Sequence, residues 1–256
     1  MEDKKFGTAG NEMVIEEFMT GPEVTVLAFT DGKTVKPMIS SMDHKRAYDN
    51  DEGLNTGGMG TIAPNPLYTP DKQQECMEKI FLPTIKAMAA EGRPFKGCLY
   101  FGLMLTPNGA KVLEYNCRFG DPETQVVLPL LETDIMDIIA AVCEENLDAL
   151  DIKWSDKSCA CVVMASGGYP EKYETGKVIS GLDENGQCEG AFVDHAGTKL
   201  EDGKFLTAGG RVLGMTAYGD TLKEALDTAY KAVDTISFEK AHYRHDIGKK
   251  ALSALK

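Results

Sequence analysis

Two short turn sequences limit what this chain can fold into more than any other feature. An Asp-Gly turn joins the apolar run EVTVLAFT (23–30) to KTVKPMIS (33–40), and TPNG (106–109) joins LYFGLML (99–105) to KVLEYN (111–116). Turn residues between runs of β-branched and aromatic residues indicate β-hairpins. The sequence therefore predicts an antiparallel sheet.

Helical signals accompany these strands. Thr69 and Pro70 are typical of a helix start, and this helix is expected to extend to Gly92 with a kink before Pro83. A second helix, largely buried, is predicted over DIMDIIAAVC (134–143). Helices and hairpins together define an α+β fold.

The chain becomes polar between residues 148 and 158, which predicts a boundary between a unit at 1–150 and a smaller one at 151–256. The second unit is rich in strands. Its predicted strands are CACVVMAS, KVISGL, AFVDHAG and KFLTAGGRVLGMTA. It ends in a helix over 221–236, where Thr221 and Glu224 form a capping box.

Composition narrows the class of protein. With a net charge of -13 and a pI near 4.8, the chain is not expected to bind nucleic acid or anionic membranes. The first ten residues lack the apolar core of a signal peptide, and no apolar run reaches the roughly 18 residues of a membrane span. We therefore expect a soluble, cytoplasmic protein.

The seven cysteines form no CxxC motif, and most lie in apolar runs. Free thiols in a reducing compartment are expected. The pair Cys159 and Cys161 is alternatively part of a metal site, a less favoured interpretation because no matching His or Cys set accompanies it.

Charge and amide groups concentrate where the strand 111–116 ends. Glu114 and Asn116 are two residues apart, so both side chains leave the same face of the strand. A carboxylate beside an amide oxygen suits a hard cation such as Mg²⁺. The alternative is a polar strand face in solvent.

Three further charged residues, Arg118, Asp121 and Glu123, follow directly. Gly120 permits a backbone turn between them, and Asp121 is expected to cap the next helix, whose N-terminus suits an anion. A plain helix cap is the alternative role for Asp121.

The polar, Gly-rich stretch 43–60 has no periodicity and predicts a long functional loop. Its DHKR sequence (43–46) gathers cationic side chains that suit a phosphate, and NTGGMG (55–60) offers backbone N–H groups. A solvated loop tip is the alternative. A strand at EMVIEEFM (12–19), continuing to Glu23, either receives a purine and its ribose or presents an ordinary acidic face.

Four stretches in this order, VIEEFMTGPEV, SMDHKRAYDNDEGLNTGGMG, LEYNCRFGDPETQVVLPLL and GGRVLGMTA, resemble the phosphoribosylamine–glycine ligase family. These are ATP-grasp enzymes of purine biosynthesis. The resemblance covers essentially the whole chain, with Leu54 where the family often has Pro. It implies an ATP-grasp main lobe, an antiparallel sheet with helices, followed by a smaller strand-rich C-terminal domain.

The resemblance also implies ligands and roles. ATP, glycine and 5-phosphoribosylamine are the implied substrates, and Glu114 and Asn116 the implied ligands of Mg²⁺ or Mn²⁺. Arg118 and Asp121 are implied to be catalytic. The implied ATP-binding residues are Glu16, Glu17, Phe18, Met19 and Glu23. The residues implied for the other two substrates are Asp43, His44, Lys45, Arg46, Asn55, Thr56, Gly57, Gly58, Met59, Gly60, Pro122, Glu123, Thr124 and Arg211.

Members of that family begin with a Rossmann-like domain and a small lobe carrying phosphate-binding lysines. Nothing before Val14 supplies them, so the resemblance implies a C-terminal portion that is at best a feeble ligase without the N-terminal part of the same enzyme. Two alternatives are an ATP-grasp ligase for another purine intermediate and a non-catalytic half that needs a complementary N-terminal chain.

Overall fold

The computed structural model describes residues 7–255, so the first six residues of the stretch examined for a signal peptide lie outside the described residues. The strands are β1 (Glu23–Thr30), β2 (Val35–Pro37), β3 (Met42–Asp43), β4 (Arg46–Tyr48), β5 (Glu52–Asn55), β6 (Gly60–Ala63), β7 (Gly97–Thr106), β8 (Gly109–Asn116), β9 (Ser158–Ser166), β10 (Phe192–His195), β11 (Thr198–Glu201), β12 (Lys204–Thr207), β13 (Arg211–Gly219) and β14 (Ala241–His242). The α-helices are α1 (Pro70–Cys76), α2 (Leu82–Ala90), α3 (Thr124–Val127), α4 (Ile135–Cys143), α5 (Leu222–Val233) and α6 (Lys249–Ala254).

Both predicted hairpins form and lie side by side. The strand order β2-β1-β7-β8 makes one antiparallel sheet of four strands. One face of it is covered by α1, α2 and the turn Met77–Phe81 between them, where Phe81 of the turn and Ile85 of α2 pack with Phe101 and Leu103. On the other face Leu27, Phe29 and Tyr100 pack in a second core with α3 and α4, and polar side chains lie toward the β8 edge.

The helix predicted from Pro70 forms as α1 and α2, joined by a π-helical turn at Met77–Phe81 just before Pro83. Helix α4 is also confirmed, with Asp134 as its N-cap. It is buried on one face only, because Met136 and Ile139 are exposed, so the prediction of a largely buried helix was wrong.

The predicted strand at 12–19 does not form. This segment is irregular and exposed, with Val14 86% and Phe18 91% exposed. None of the strands that the structure describes pairs with this segment, and its apolar side chains stay exposed.

The stretch 43–60 is not the unstructured loop that the sequence predicts. It contains the hairpin of β4 and β5, joined by a 3₁₀ turn at Asp49–Asp51, and it ends on β6. The prediction was wrong because distant partners hold these strands, β9 for β6 and the C-terminal segment 242–250 for the hairpin. A polar hairpin of this kind shows no hydrophobic periodicity.

The second sheet has the order β10-β13-β9-β6-β3, with β14 also paired to β9. Helix α5 packs on β9 and β13, and its predicted capping box of Thr221 and Glu224 is present. The stretch KVISGL forms only isolated bridges at Val178 and Ser180, so that predicted strand was wrong. Because β3 and β6 belong to this sheet, its strands come from both sides of residue 150 in the chain. Separate folding units at 1–150 and 151–256 stay a prediction.

All seven cysteines are free thiols, as the sequence predicts. Among the helices of residues 7–255, none has the length and apolar character needed to cross a membrane.

Candidate active site

The face of the first sheet opposite α1 and α2 carries a line of polar side chains across three strands. Register pairs Thr25 with Gly102 and Gly102 with Glu114, while Tyr100 pairs with Asn116. Paired residues share a sheet face, so Glu114 and Asn116 project together, as the sequence predicts. Tyr115 points the other way, where its hydroxyl lies 3.0 Å from Thr84 Oγ1 of α2.

Lys45 places a positive charge between two carboxylates on this face. Its Nζ is 3.4 Å from Glu23 Oε2 and 3.5 Å from Glu114 Oε1. Burial lowers the pKa of Lys45, but the charges of Glu23 and Glu114 outweigh burial and raise the pKa on balance. The side chain therefore stays cationic and holds the β1 and β8 edges of the site together.

Glu123 is a buried carboxylate beside this face. It is 3% exposed, and the Tyr100 hydroxyl donates to its Oε1 at 2.9 Å. Burial raises the pKa of Glu123, and burial together with the charge of Glu123 raises that of Asp43 well above its ordinary value. Burial therefore favours the protonated form of both carboxyl groups.

The loop 56–60 packs against the turn that follows β8 at two glycines. Gly58 has φ +114°, and a Cβ there would lie 2.5 Å from Pro122 Cδ and 2.7 Å from Asp43 Oδ1. A Cβ on Gly57 would lie 3.0 Å from the central carbon of the Arg211 guanidinium. Only glycine permits so close an approach of backbone to side chain at Gly58.

Arg211, at the start of β13, ties these two segments to each other. Its Nη1 donates to Gly57 O and to Asp121 O, both at 2.8 Å, and lies 3.2 Å from Asp121 Oδ1. Asp121 does not cap a helix as predicted, because α3 begins at Thr124 with Glu123 in the N-cap position. Its carboxylate is instead engaged by Arg211 and by Gln125.

Arg118 and Thr124 complete this turn. The Arg118 guanidinium lies 6.0 Å from the centre of the Tyr100 ring, within the range of a cation–π contact, and its Nη1 donates to Phe119 O. The Thr124 hydroxyl donates to Gly120 O at 2.5 Å. The exposed guanidinium of Arg118 is therefore available to an anion at the end of β8.

His44 is not the cationic ligand that the DHKR sequence suggests. Its Nδ1 lies 3.1 Å from Gly60 O, and its Nε2 accepts from Gly248 N at 3.1 Å. Burial, and after it the charge of Arg244, lower the pKa of His44 to about 4. The neutral ring makes two hydrogen bonds and thereby holds the loop in place. Met59, in the same loop, is fully buried.

A cavity of about 500 Å³ opens between the sheet face and the β4–β5 hairpin. It brings together Glu23, Lys45, Arg46 and Asn55, which the sequence predicts, and adds Asp51 and Lys250, which it does not. Tyr169, whose hydroxyl accepts from Gly57 N at 3.0 Å, was also missed. Lys250 and Tyr169 lie outside the motifs quoted above, and Asp51, which lies within one of them, is fixed by contacts with the distant Arg244 and Lys250.

The segment predicted to receive a nucleotide lies outside this cavity. Glu16, Glu17 and Phe18 are exposed, Met19 is half-buried, and Lys111 Nζ holds Glu17 Oε2 at 2.5 Å. From Gly21 onward the chain packs against the first sheet and lines the cavity.

The donor set on β8 fits a hard divalent cation. Glu114 and Asn116 offer a carboxylate and an amide oxygen, the ligands that Mg²⁺ and Mn²⁺ prefer. Across residues 7–255 no group of three His, Cys, Asp or Glu side chains is arranged to hold an ion unaided.

This fold is that of ATP-grasp proteins. The chain is similar to the biotin carboxylase domain of a thermophilic 2-oxoglutarate carboxylase, at 16% identity and TM-score 0.60 over 88% of this chain and 49% of that one. The ATP-grasp (A) domain of phosphoribosylglycinamide synthetase matches residues 1–124, and the C domain of the same synthetase matches residues 159–250. The chain belongs to the phosphoribosylglycinamide synthetase family.

Sequence relatives and a solved structure support this family assignment. A phosphoribosylamine–glycine ligase from Caldanaerobacter subterraneus subsp. tengcongensis is 50% identical over 96% of this chain, and one from Synechocystis is 49% identical over 96%. The crystal structure of the ligase from Thermotoga maritima superposes with TM-score 0.78 at 35% identity, over 91% of this chain and 57% of that one. The chain spans 58% and 59% of the lengths of the two curated relatives.

Proposed function

We propose that this chain carries the main nucleotide- and substrate-binding part of a phosphoribosylamine–glycine ligase. In this reaction a glycine carboxylate oxygen takes the γ-phosphoryl group of ATP and ADP leaves. The amine nitrogen of 5-phosphoribosylamine then attacks the glycyl carbon, the C–O bond to phosphate breaks, and the nitrogen loses a proton. Glycinamide ribonucleotide, ADP and phosphate result.

The observation that carries the proposal is the junction of two distant segments at Arg211. Its guanidinium contacts Gly57 O and Asp121 O, so the glycine loop, the turn after β8 and the start of β13 meet at one point. The Glu114 carboxylate lies on the same sheet face as Tyr100, which bonds Glu123. Lys45, whose Nζ lies 3.5 Å from Glu114 Oε1, also lines the cavity with Arg46, so cationic groups lie beside the carboxylate proposed for the metal, as a phosphoryl transfer to a carboxylate requires.

Within this proposal Glu114 and Asn116 hold Mg²⁺ or Mn²⁺. The ion, when bound, neutralises phosphate charge as it develops. Arg118 and Asp121 act at the reacting groups. Glu23 receives the ribose of ATP, with Glu16, Glu17, Phe18 and Met19 at the adenine. The residues proposed for glycine and 5-phosphoribosylamine are Asp43, Lys45, Arg46, Asn55, Thr56, Gly57, Gly58, Gly60, Pro122, Glu123, Thr124 and Arg211.

His44 and Met59 are proposed to hold these substrate-binding residues in position rather than to contact substrate, because both side chains are buried. Glu123 is proposed to take up the proton that the amine releases, as its raised pKa favours. We place the activity in the cytoplasm, the reducing compartment that seven free thiols favour.

The test is ADP release with labelled glycine and with 5-phosphoribosylamine generated in the assay from ribose 5-phosphate and ammonia. We expect labelled glycinamide ribonucleotide to form in step with ADP, at a low rate when the chain is alone. Glu114→Ala should remove this turnover, whereas Glu189→Ala, on an exposed loop, should keep it. ADP release that ignores glycine would favour a ligase for another purine intermediate.

As a second candidate role, the chain is one half of an enzyme and works only in complex with a complementary N-terminal chain. The exposed Val14, Ile15 and Phe18 favour it, since contiguous exposed apolar side chains mark interaction surfaces. The assay is therefore run with and without the N-terminal part of the Caldanaerobacter relative. Turnover that requires the added chain would support this role.

A further inference from the structure

The β4–β5 hairpin, residues 46–55, forms one wall of the 500 Å³ cavity and carries Arg46 and Asn55 into it. We propose that Arg244, which does not line the cavity, is the residue that positions this hairpin for ligand binding. The part of the inference that concerns the ligand, a sugar phosphate, rests on the proposed function. The part that concerns the hairpin rests on the contacts of Arg244 alone.

Arg244 is 1% exposed and reaches the hairpin from the segment between β14 and α6. Its Nη1 donates to Asp51 Oδ1 at 2.9 Å and to Arg46 O at 3.2 Å. Its Nε and Nη2 donate to the two carboxylate oxygens of Asp246 at 2.8 and 3.0 Å. One guanidinium thus holds the first strand of the hairpin and its turn at the same time.

The turn of the hairpin needs this support because its backbone is strained. Asn50 and Asp51 are consecutive non-glycine residues with φ 59° and φ 56°, in the left-handed region. Each is fixed from the C-terminal segment, since Asn50 N donates to Asp246 Oδ2 at 2.8 Å and Asp51 accepts from Arg244. Loss of these bonds lets the turn relax and moves both strands.

Further bonds join the same two segments outside the guanidinium. His245 N donates to Asp49 Oδ1 at 2.8 Å, and His242 Nε2 donates to Ala47 O at 2.7 Å. They keep the hairpin near its place when the Arg244 bonds are weakened. A change at Arg244 is therefore expected to loosen the hairpin without unfolding the chain.

The contacts also reach the cavity directly. Asp51 pairs with Lys250 of α6, and both side chains line the cavity together with Lys45 and Arg46. Three cationic side chains around one space suit a phosphate group. Because Arg244 fixes Asp51, it sets where the Lys250 ammonium sits relative to Arg46.

The test compares Arg244→Lys with the unaltered chain by hydrogen exchange and by titration with ribose 5-phosphate. Lysine keeps the charge but cannot bond both oxygens of Asp246 while reaching Asp51. We expect faster exchange confined to residues 46–56, with β9 and α5 unchanged, and a Kd for ribose 5-phosphate weakened about tenfold. Arg93→Lys, in an exposed turn, is the matched control and should change neither.

A second variant, Asp246→Asn, keeps the shape of the side chain and serves if Arg244→Lys folds poorly. Unaltered exchange over 46–56 in the folded variants overturns the inference. So does loosening that extends into β9, because it would mark a general structural role. Failure of the unaltered chain to bind ribose 5-phosphate would count against the proposed function, and exchange over 46–56 would still decide the role of Arg244.

Discussion

Arg211 Nη1 contacts Asp121 twice, at 2.8 Å to its carbonyl oxygen and 3.2 Å to its carboxylate Oδ1, across a separation of 90 residues. Asp121 lies in the part of the chain matched by the ATP-grasp domain and Arg211 in the part matched by the C domain. A single side chain therefore joins the two matched parts of the family at the point where the candidate site lies.

Replacing Arg211 by lysine should weaken ligand binding more than stability. Lysine cannot bond Gly57 O and Asp121 O in the geometry of the guanidinium. We expect the Kd for ribose 5-phosphate to rise about tenfold, while the free energy of unfolding falls by about 1 kcal/mol or less. Calorimetric titration and urea unfolding measure the two quantities, with Lys204→Arg on an exposed strand as control. A loss of stability without a loss of binding would contradict this role.

Replacing Gly58 by alanine should cost stability through a steric clash. The new Cβ would meet Pro122 Cδ at 2.5 Å, and φ is +114°. Gly97 offers a matched control, because its φ is +122° and a Cβ there meets nothing within 4 Å. Both alanine variants carry the backbone cost of about 1 kcal/mol, and Gly58→Ala should lose roughly 1–3 kcal/mol more. Equal unfolding free energies would mean that the loop moves aside freely.

Acid should destabilise the chain through His44. Its pKa is about 4 when folded, against 6.5 for an ordinary histidine, because burial and then Arg244 disfavour the charged ring. A lowered pKa gives a stabilising contribution that is complete above pH 6.5 and is lost as the pH falls toward 4. Between pH 7 and pH 5 that loss is about 2 kcal/mol.

Urea unfolding at both pH values measures this loss, with His44→Gln as the comparison. Glutamine does not titrate, so the variant should lose about 2 kcal/mol less than the unaltered chain over this interval. An identical pH dependence in the two proteins would place the acid sensitivity elsewhere.

Glu114→Gln should weaken divalent cation binding in the presence of ADP. The amide keeps the size of the side chain and removes the charge that attracts a hard cation. We expect the Kd for Mn²⁺ to be weakened at least tenfold. The measurement is the paramagnetic effect of Mn²⁺ on the relaxation of water protons. Glu91→Gln, at the exposed end of α2, is the control. Equal Mn²⁺ affinities would remove Glu114 from the proposed ligands.

Much of the fold is encoded locally and could be predicted. The Asp-Gly and TPNG turns fix both hairpins of the first sheet, and Thr221 with Glu224 fixes the start of α5. Glu114 and Asn116 were predicted to share a face because the period of a strand is two residues. The motifs from DHKR to DPET also identified the family, which the comparisons confirm.

Other features depended on the tertiary structure. The segment 12–19, predicted as a strand, is irregular and exposed, and the hairpin within 43–60 is bonded to the segment 242–250, almost 200 residues further on. The pKa of His44 is lowered to about 4 by burial and Arg244, and its ring is held by Gly60 and Gly248, which no local pattern indicates.

The sequence by itself thus determined the turns, the caps and the family motifs, because each depends on residues a few positions apart. Only the tertiary structure decided that Asp51, Lys250 and Tyr169 join the site. The physical reason is that burial, the pKa of a side chain and the meeting of charges are set by neighbours in space, which chain folding brings from distant positions.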